Sequence, residues 1–155
     1  MGKQRAIVAL GAAAALATGI IGGTAASGDT AVHVILTGDL KIHVTDPAHN
    51  GLTLGDRLAA RGPLVDAAKP DKRVGTAFLD CWVAKNVASG NGLFDCTYLL
   101  HLGRGDLTLQ GLDPPGPGSS DFIVTGGDGA FRGATGDAVF TDSAHSTDMQ
   151  ITLVD

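Results

Sequence analysis

The chain has 155 residues, 44% of them hydrophobic, and a formal net charge of −5. That length allows one domain with its own core but not two, and an acidic chain with scattered lysines carries no nucleic-acid footprint. All 16 acidic residues are aspartate and 23 residues are glycine; glutamate favours helices whereas aspartate and glycine favour turns, so the balance points to a β protein with many tight connections.

At the N-terminus, Lys3 and Arg5 precede the uncharged run "AIVALGAAAALATGIIGG", and "TAAS" then offers small residues for cleavage. A basic start, an apolar centre and a small-residue exit describe a secretory signal peptide over residues 1–26, leaving 27–155 as a single domain. A retained anchor is the alternative, since the run is nearly long enough to span a bilayer. Its alanine and glycine make it weakly hydrophobic, which favours cleavage, export and no stable membrane anchor afterwards. Loss of Lys3 and Arg5 takes the basic count from 11 to nine, so the net charge moves from −5 to −7.

The stretch "AVHVILTGDLKIHVT" reads as one long strand or two short ones broken at Gly38 and Asp39. "LGDRLAARGPLVDA" comes next, with a bulge or bend expected at Gly62 and Pro63 because proline cannot donate to a sheet ladder. "AKPDKR" reads as a turn with a solvated tip. "VGTAFLDCWVA" and "LFDCTYLLHL" then read as a hairpin joined by "ASGNG". An exported protein meets an oxidising compartment, where an even cysteine count suggests a bridge, here Cys81 to Cys96. If those two face each other, Leu79 faces Tyr98 and Val83 faces Phe94. A two-cysteine metal site is the rival reading, but no histidine pair sits nearby at ligand spacing. The five histidines are dispersed, so no metal is expected, and no cofactor either.

"RGD" at 104–106 is most simply a turn leading into "GRGDLTLQGL". The prolines at 114, 115 and 117 make 113–121 a surface loop, after which "FIVTG", "TGDAVFTD" and "MQITLVD" complete a set of about eight strands. Short, turn-rich links between so many strands fit a closed barrel or a sandwich. No serine stands in G-x-S-x-G, so a hydrolase elbow is absent. The glycine-dense stretch "IVTGGDGAFRGATGDAVF" raises the question of a phosphate loop. Gly127, Gly129 and Gly133 are one residue too widely spaced for the dinucleotide fingerprint, and the "ATGDAVF" run after them is strand-like rather than helical. The glycines therefore make a turn, with Phe131 tucked under one end of the fold.

"VTGGDGAFRGATGDA" resembles the signature shared by allene oxide cyclases and plant dirigent proteins. "LGD" at 54–56, "KRVG" at 72–75, the strand bearing Cys81 and "LTLQG" at 107–111 resemble further landmarks of that superfamily, in the same order. The resemblance implies an all-β, eight-stranded antiparallel barrel whose lumen holds an apolar ligand, and members that form homo-oligomers. It also implies a lumen-facing glutamate and asparagine on the first strand of a cyclase. This chain contains no glutamate, and its first strand offers His33, Thr37 and Asp39 instead, so the glutamate-steered cyclisation lacks its group. For the acidic and arginine residues of dirigent proteins, Asp56, Arg57 and Asp80 are the counterparts on offer.

The resemblance also points Cys81 into the lumen, and strand alternation then places Leu79, Val83, Tyr98 and Leu100 on the same side. Tyr98 is the one hydroxyl on that wall. It reads either as a core tyrosine bonded to neighbouring backbone or as a ligand-binding group, and Gln110 is a second candidate on the same terms. Trp82 and His101 face outward, where an oligomer contact would lie. No catalytic residue is singled out. Two functions remain: a secreted, cyclase-like barrel that guides an apolar small molecule through cyclisation or coupling, and a non-catalytic secreted barrel that binds a lipophilic ligand or is simply packed. Mass spectrometry of the secreted protein is expected to find a mature chain beginning near Ser27; a full-length, membrane-bound form would overturn the reading of the N-terminus.

Overall fold

The computed structural model describes residues 30–46, 51–85 and 92–154. The signal-peptide segment and most of the "ASGNG" turn lie outside the described residues. Nine strands succeed one another: β1 (Thr30–Thr37), β2 (Lys41–Thr45), β3 (Arg57–Asp66), β4 (Lys69–Lys85), β5 (Leu93–Leu102), β6 (Gly105–Asp113), β7 (Gly118–Gly127), β8 (Thr135–Asp142) and β9 (Ser146–Val154). Eight of them, β1 and β3 to β9, form a closed antiparallel barrel, in which β1 pairs with β9 on one side and with β3 on the other. The extra strand β2 continues past the break at residues 38–40 and pairs with the first half of β3. The stretch that reads as one strand or two is thus two, laid end to end along the same neighbour.

Closure leaves no free edge in the barrel, so alternate side chains of every strand must point inward. The inward set is apolar: Val32, Val34 and Leu36 on β1, Leu100 on β5, Leu107 and Leu109 on β6, Phe122 on β7, Phe140 on β8, and Met149 and Ile151 on β9 are all buried. The β4–β5 hairpin has the expected register, with Cys81 opposite Cys96, Leu79 opposite Tyr98 and Val83 opposite Phe94. Cys81 and Cys96 are disulfide-bonded, their Cα atoms 4.1 Å apart.

Three local expectations need correction. Pro63 sits in register opposite Thr76, and the irregularity falls just after it, between Leu64 and Asp66. Ala67 and Ala68 make the β3–β4 turn, so the basic run from Lys69 already belongs to β4. The extra residues there are absorbed as a bulge, because Val65 pairs with Arg73 while Asp66 pairs with Lys69. The proline segment is shorter than a 113–121 loop: Asp113 still pairs with Phe94, and β7 begins at Gly118.

The glycine-dense stretch is a turn, as expected. It closes one end of the barrel through a single 3-10 turn, Gly129–Phe131, with Phe131 buried. It packs against the Gly103–Arg104 turn: Ala130 N–H donates to Arg104 O at 2.9 Å, and Asp106 N–H to Asp128 Oδ1 at 2.9 Å. Gly105, at φ 145°, has no room for a side chain, since a Cβ would lie 2.3 Å from Asp128 O. The Arg104 guanidinium covers the Phe131 ring at 5.2 Å.

The disulfide closes a loop of sequence separation 15. On the chain-entropy account, replacing both cysteines by alanine is expected to cost roughly 3 kcal/mol. Denaturant unfolding of the double variant checks this, and an unchanged midpoint would refute it.

Candidate functional site: a cavity at one end of the barrel

Phe131 is buried at one end of the barrel, where Val32, Val34, Leu102 and Arg104 border an outer hollow of about 470 Å³. The opposite end is hollow as well and holds a cavity of about 540 Å³, within the range of small-molecule sites. Its rim is built from three connections: the β1–β2 break, the proline segment 114–117 and the β8–β9 turn. Its walls are apolar, formed by Leu36, Leu40, Leu58, Leu79, Phe94 and the Cys81–Cys96 disulfide. Ile42 on β2 extends the wall beyond the barrel proper and is 57% exposed.

An aromatic cluster borders the hollow end. Tyr98 meets Phe122 and Phe140 edge-on, at centroid distances of 5.2 and 5.0 Å, while Phe122 and Phe140 stack at 4.3 Å. Such edge and offset contacts suit the ring quadrupoles and hold Tyr98 in one orientation. Tyr98 lines the cavity together with two carboxylates, Asp113 and Asp142. Strand parity puts both there: Asp113 shares the inward side of β6 with Leu107 and Leu109, and Asp142 that of β8 with Ala138 and Phe140.

Each carboxylate has a hydroxyl donor from the neighbouring strand. Ser120 Oγ donates to Asp113 Oδ1 at 2.7 Å, and Thr147 Oγ1 donates to Asp142 Oδ1. Burial pushes the Asp113 carboxyl above the usual carboxylate range; Ser120 opposes the rise and the Asp142 charge adds to it. Burial first, and then the charges of Asp113 and Asp142, push the Tyr98 phenol far above its usual value. The phenol is thus a fixed, neutral O–H donor. The neighbouring carboxyl holds its proton to higher pH than an ordinary aspartate.

Of the residues singled out from sequence, Leu79 and Tyr98 line this cavity with both cysteines. Val83 and Leu100 also face inward, but they are buried in the packing and do not reach the cavity. Val83 is bonded through its backbone to Gly55 and Asp56 of the preceding turn. Gln110 is on the outer face, its Nε2 donating to Thr97 Oγ1 at 3.3 Å. The reason is alternation, since Leu107 and Leu109 point inward and the residue between Leu109 and Gly111 must point out. Arg57 and Asp80 also lie outside, joined at 2.6 and 2.7 Å, with Arg57 5.6 Å above the exposed Trp82 ring.

Asp56 is buried but holds its own turn, accepting from Thr53 N–H at 2.8 Å and Thr53 Oγ1 at 3.0 Å. On the first strand, Thr37 reaches the rim, whereas His33 faces outward and is bonded to Asp148 at 2.9 Å. Sequence reasoning misses Asp113 and Asp142, although a signal for them exists. Counting by twos from Ala138 reaches Asp142 within "TGDAVFTD", and counting from Leu107 reaches Asp113 once that strand is extended by one residue to its true end.

These features define a class: a closed antiparallel barrel with a cavity at one end that carries polar groups on apolar walls. No sequence-family model and no curated protein matches the chain. Solved structures do. The chain is similar to a pyocyanin demethylase, at a TM-score of 0.64 and 19% identity over 79% of this chain and 99% of that one. It is similar to a pterocarpan synthase dirigent protein, at 0.66 and 17% over 81% and 84%. It is also similar to a Diels-Alderase from Streptomyces koyangensis, at 0.59 and 11% over 81% and 64%. The fold is therefore the dirigent-like barrel implied by the glycine signature.

Asp113 links the site to stability. Its carboxyl keeps a proton to higher pH in the folded chain than in the unfolded one. The folded state thus binds more protons between the two values, and stability falls as pH rises through that window. Asp113→Asn retains an acceptor for Ser120 and removes the charge. The variant is expected to melt above the parent at pH 7, with the gap closing near pH 3, below the ordinary carboxylate range of about 3.9. Thermal melts at the two pH values check it; a variant melting no higher than the parent at pH 7 would contradict it.

Proposed function

We propose that the protein is an exported barrel that binds an apolar small molecule in the 540 Å³ cavity and guides its cyclisation or coupling. The observation that carries this reading is the composition of the cavity: apolar walls around Tyr98, Asp113 and Asp142, with Thr37, Ser143, His145 and Ser146 at the rim. Apolar walls bind a largely apolar molecule by removing its surface from water. A phenol held by two aromatic neighbours then fixes its orientation, and Asp113 is placed to give or take a proton. Catalysis by positioning needs few charged groups, because holding a reactive molecule in one conformer supplies much of the barrier reduction.

The structural neighbours support a small-molecule role in general. Their names describe a pyocyanin demethylase, a pterocarpan synthase and a heme-binding cyclase that catalyses a [4+2] cycloaddition. The same barrel thus hosts several chemistries, so the reaction has to be argued from the site and not from the fold. The group implied for glutamate-steered allene oxide cyclisation is absent here, so we place the substrate elsewhere.

Binding is tested with the neutral dye Nile red. One dye per chain is expected. Leu79→Trp, which fills the cavity wall, is expected to abolish binding, while Ile123→Trp on the outer face leaves it unchanged. A parent protein that takes up no dye, or a Leu79→Trp variant that binds as the parent does, would overturn the cavity as a binding site. With the ligand identified by mass spectrometry of protein from its native source, Tyr98→Phe separates the two functions. Turnover lowered about a hundredfold with binding retained marks a guiding enzyme; no turnover in the parent marks a carrier.

A further inference from the structure

The charges of this barrel are sorted by position. Arg57 is tied to Asp80 on the outer face, and Lys72, Arg73 and Arg104 gather at the end opposite the cavity. Among the described residues no lysine or arginine lines the cavity, and the one basic side chain there is His145 on the exposed β8–β9 turn. Asp113 and Asp142 both point into it. Among the described residues neither carboxylate has an ion-pair partner; each has one hydroxyl donor, Ser120 or Thr147. Tyr98, 3% exposed, stands beside them and contributes no positive charge.

Two carboxylates near each other and without a counter-charge are tolerable while water reaches the cavity. A ligand that displaces this water changes the balance. A neutral apolar molecule strips solvent from both carboxylates and returns nothing, and an anion adds repulsion. A positive charge compensates both groups in a site where low polarity strengthens the attraction. Phe94 and Tyr98 add aromatic rings to the lining, and a cation over a ring face is attracted by the ring quadrupole.

We propose that the ligand of this cavity is an apolar molecule bearing one positive charge, a quaternary or protonated nitrogen, seated with that charge toward Asp113 and Asp142. This rests on the cavity being the binding site and adds the charge of the molecule it selects.

Three probes of one bicyclic shape test it: 1-methylquinolinium, the neutral 1-methylnaphthalene and the anionic 1-naphthoate. Their affinities for the purified protein are measured by equilibrium dialysis. The cation is expected to bind about tenfold more tightly than the neutral probe, and the anion more weakly than either. Asp113→Asn and Asp142→Asn are each expected to shrink the cation's advantage, weakening the cation and, because one charge fewer is stripped of water, tightening the neutral probe; a far-UV circular dichroism spectrum like the parent's shows that the variants remain folded. Equal affinity for all three probes overturns the charge preference and leaves the apolar cavity standing. A preference that survives both substitutions overturns it too, because the selecting charge then lies elsewhere. Failure of every probe to bind overturns this proposal together with the cavity reading.

Discussion

Closure of the sheet is the constraint on which the rest depends. β1 must pair with β9 along its whole length and with β3 over Val34–Leu36, so that every barrel strand has a neighbour on both sides. Once the ring is closed, the direction of each side chain is set by parity alone. The break after Thr37 then lets β2 run on along β3 and raise one lip of the barrel above the rest. Gly38 sits at this break against the β8–β9 turn, where a Cβ would lie 2.6 Å from His145 O. The rim of the cavity is thus assembled from connections that closure brings together.

The two ends of the barrel are treated differently by the chain. At one end Phe131 and its glycine turn plug the interior, and Leu64, Leu100, Leu107 and Met149 fill it with no residual exposure. At the other end the packing stops at the Tyr98, Phe122 and Phe140 cluster, and above it the walls enclose space. A packed interior would be more stable, since an unfilled volume forfeits dispersion contacts and a half-buried carboxylate forfeits solvation. Both deficits fall at the same end, beside the same tyrosine. That coincidence supports the proposal that this end binds a ligand, since departures from packing rules gather where function needs them.

The dirigent-like barrel is well suited to such a division. Its ladder of backbone bonds is independent of what the inner side chains are, so one end can carry the fold while the residues at the other end change. Neighbours at 11 to 19% identity keep the architecture under names that describe unlike chemistries. In this chain the hollow end carries an acidic pair on β6 and β8, set against apolar walls and a disulfide.

Much of this is legible in the order of residues. Apolar alternation marks the strands, the two cysteines set the β4–β5 register to the residue, and the glycine stretch is readable as a turn because its spacing and the strand after it fit no phosphate loop. These are local properties: alternation has a period of two, and a hairpin register needs only one fixed pair. The site is legible only in part. Leu79 and Tyr98 come from the same register. Gln110 is suggested by likeness to a motif rather than by parity, and Arg57 and Asp80 by chemical type alone; all three lie on the outer face. Asp113 escapes because the aspartate and the prolines after it look like loop, and Asp142, although inside "TGDAVFTD", because no local pattern says that it meets Asp113. Whether the end of β6 still belongs to the ladder depends on Phe94, a neighbour in space that no local pattern names. The sequence by itself determined an all-β chain, its main turns and its bridge, because these rest on contacts between near neighbours. Only the closed barrel decided which end is hollow and which charges meet there, because that depends on strands far apart in the chain being joined into one ring.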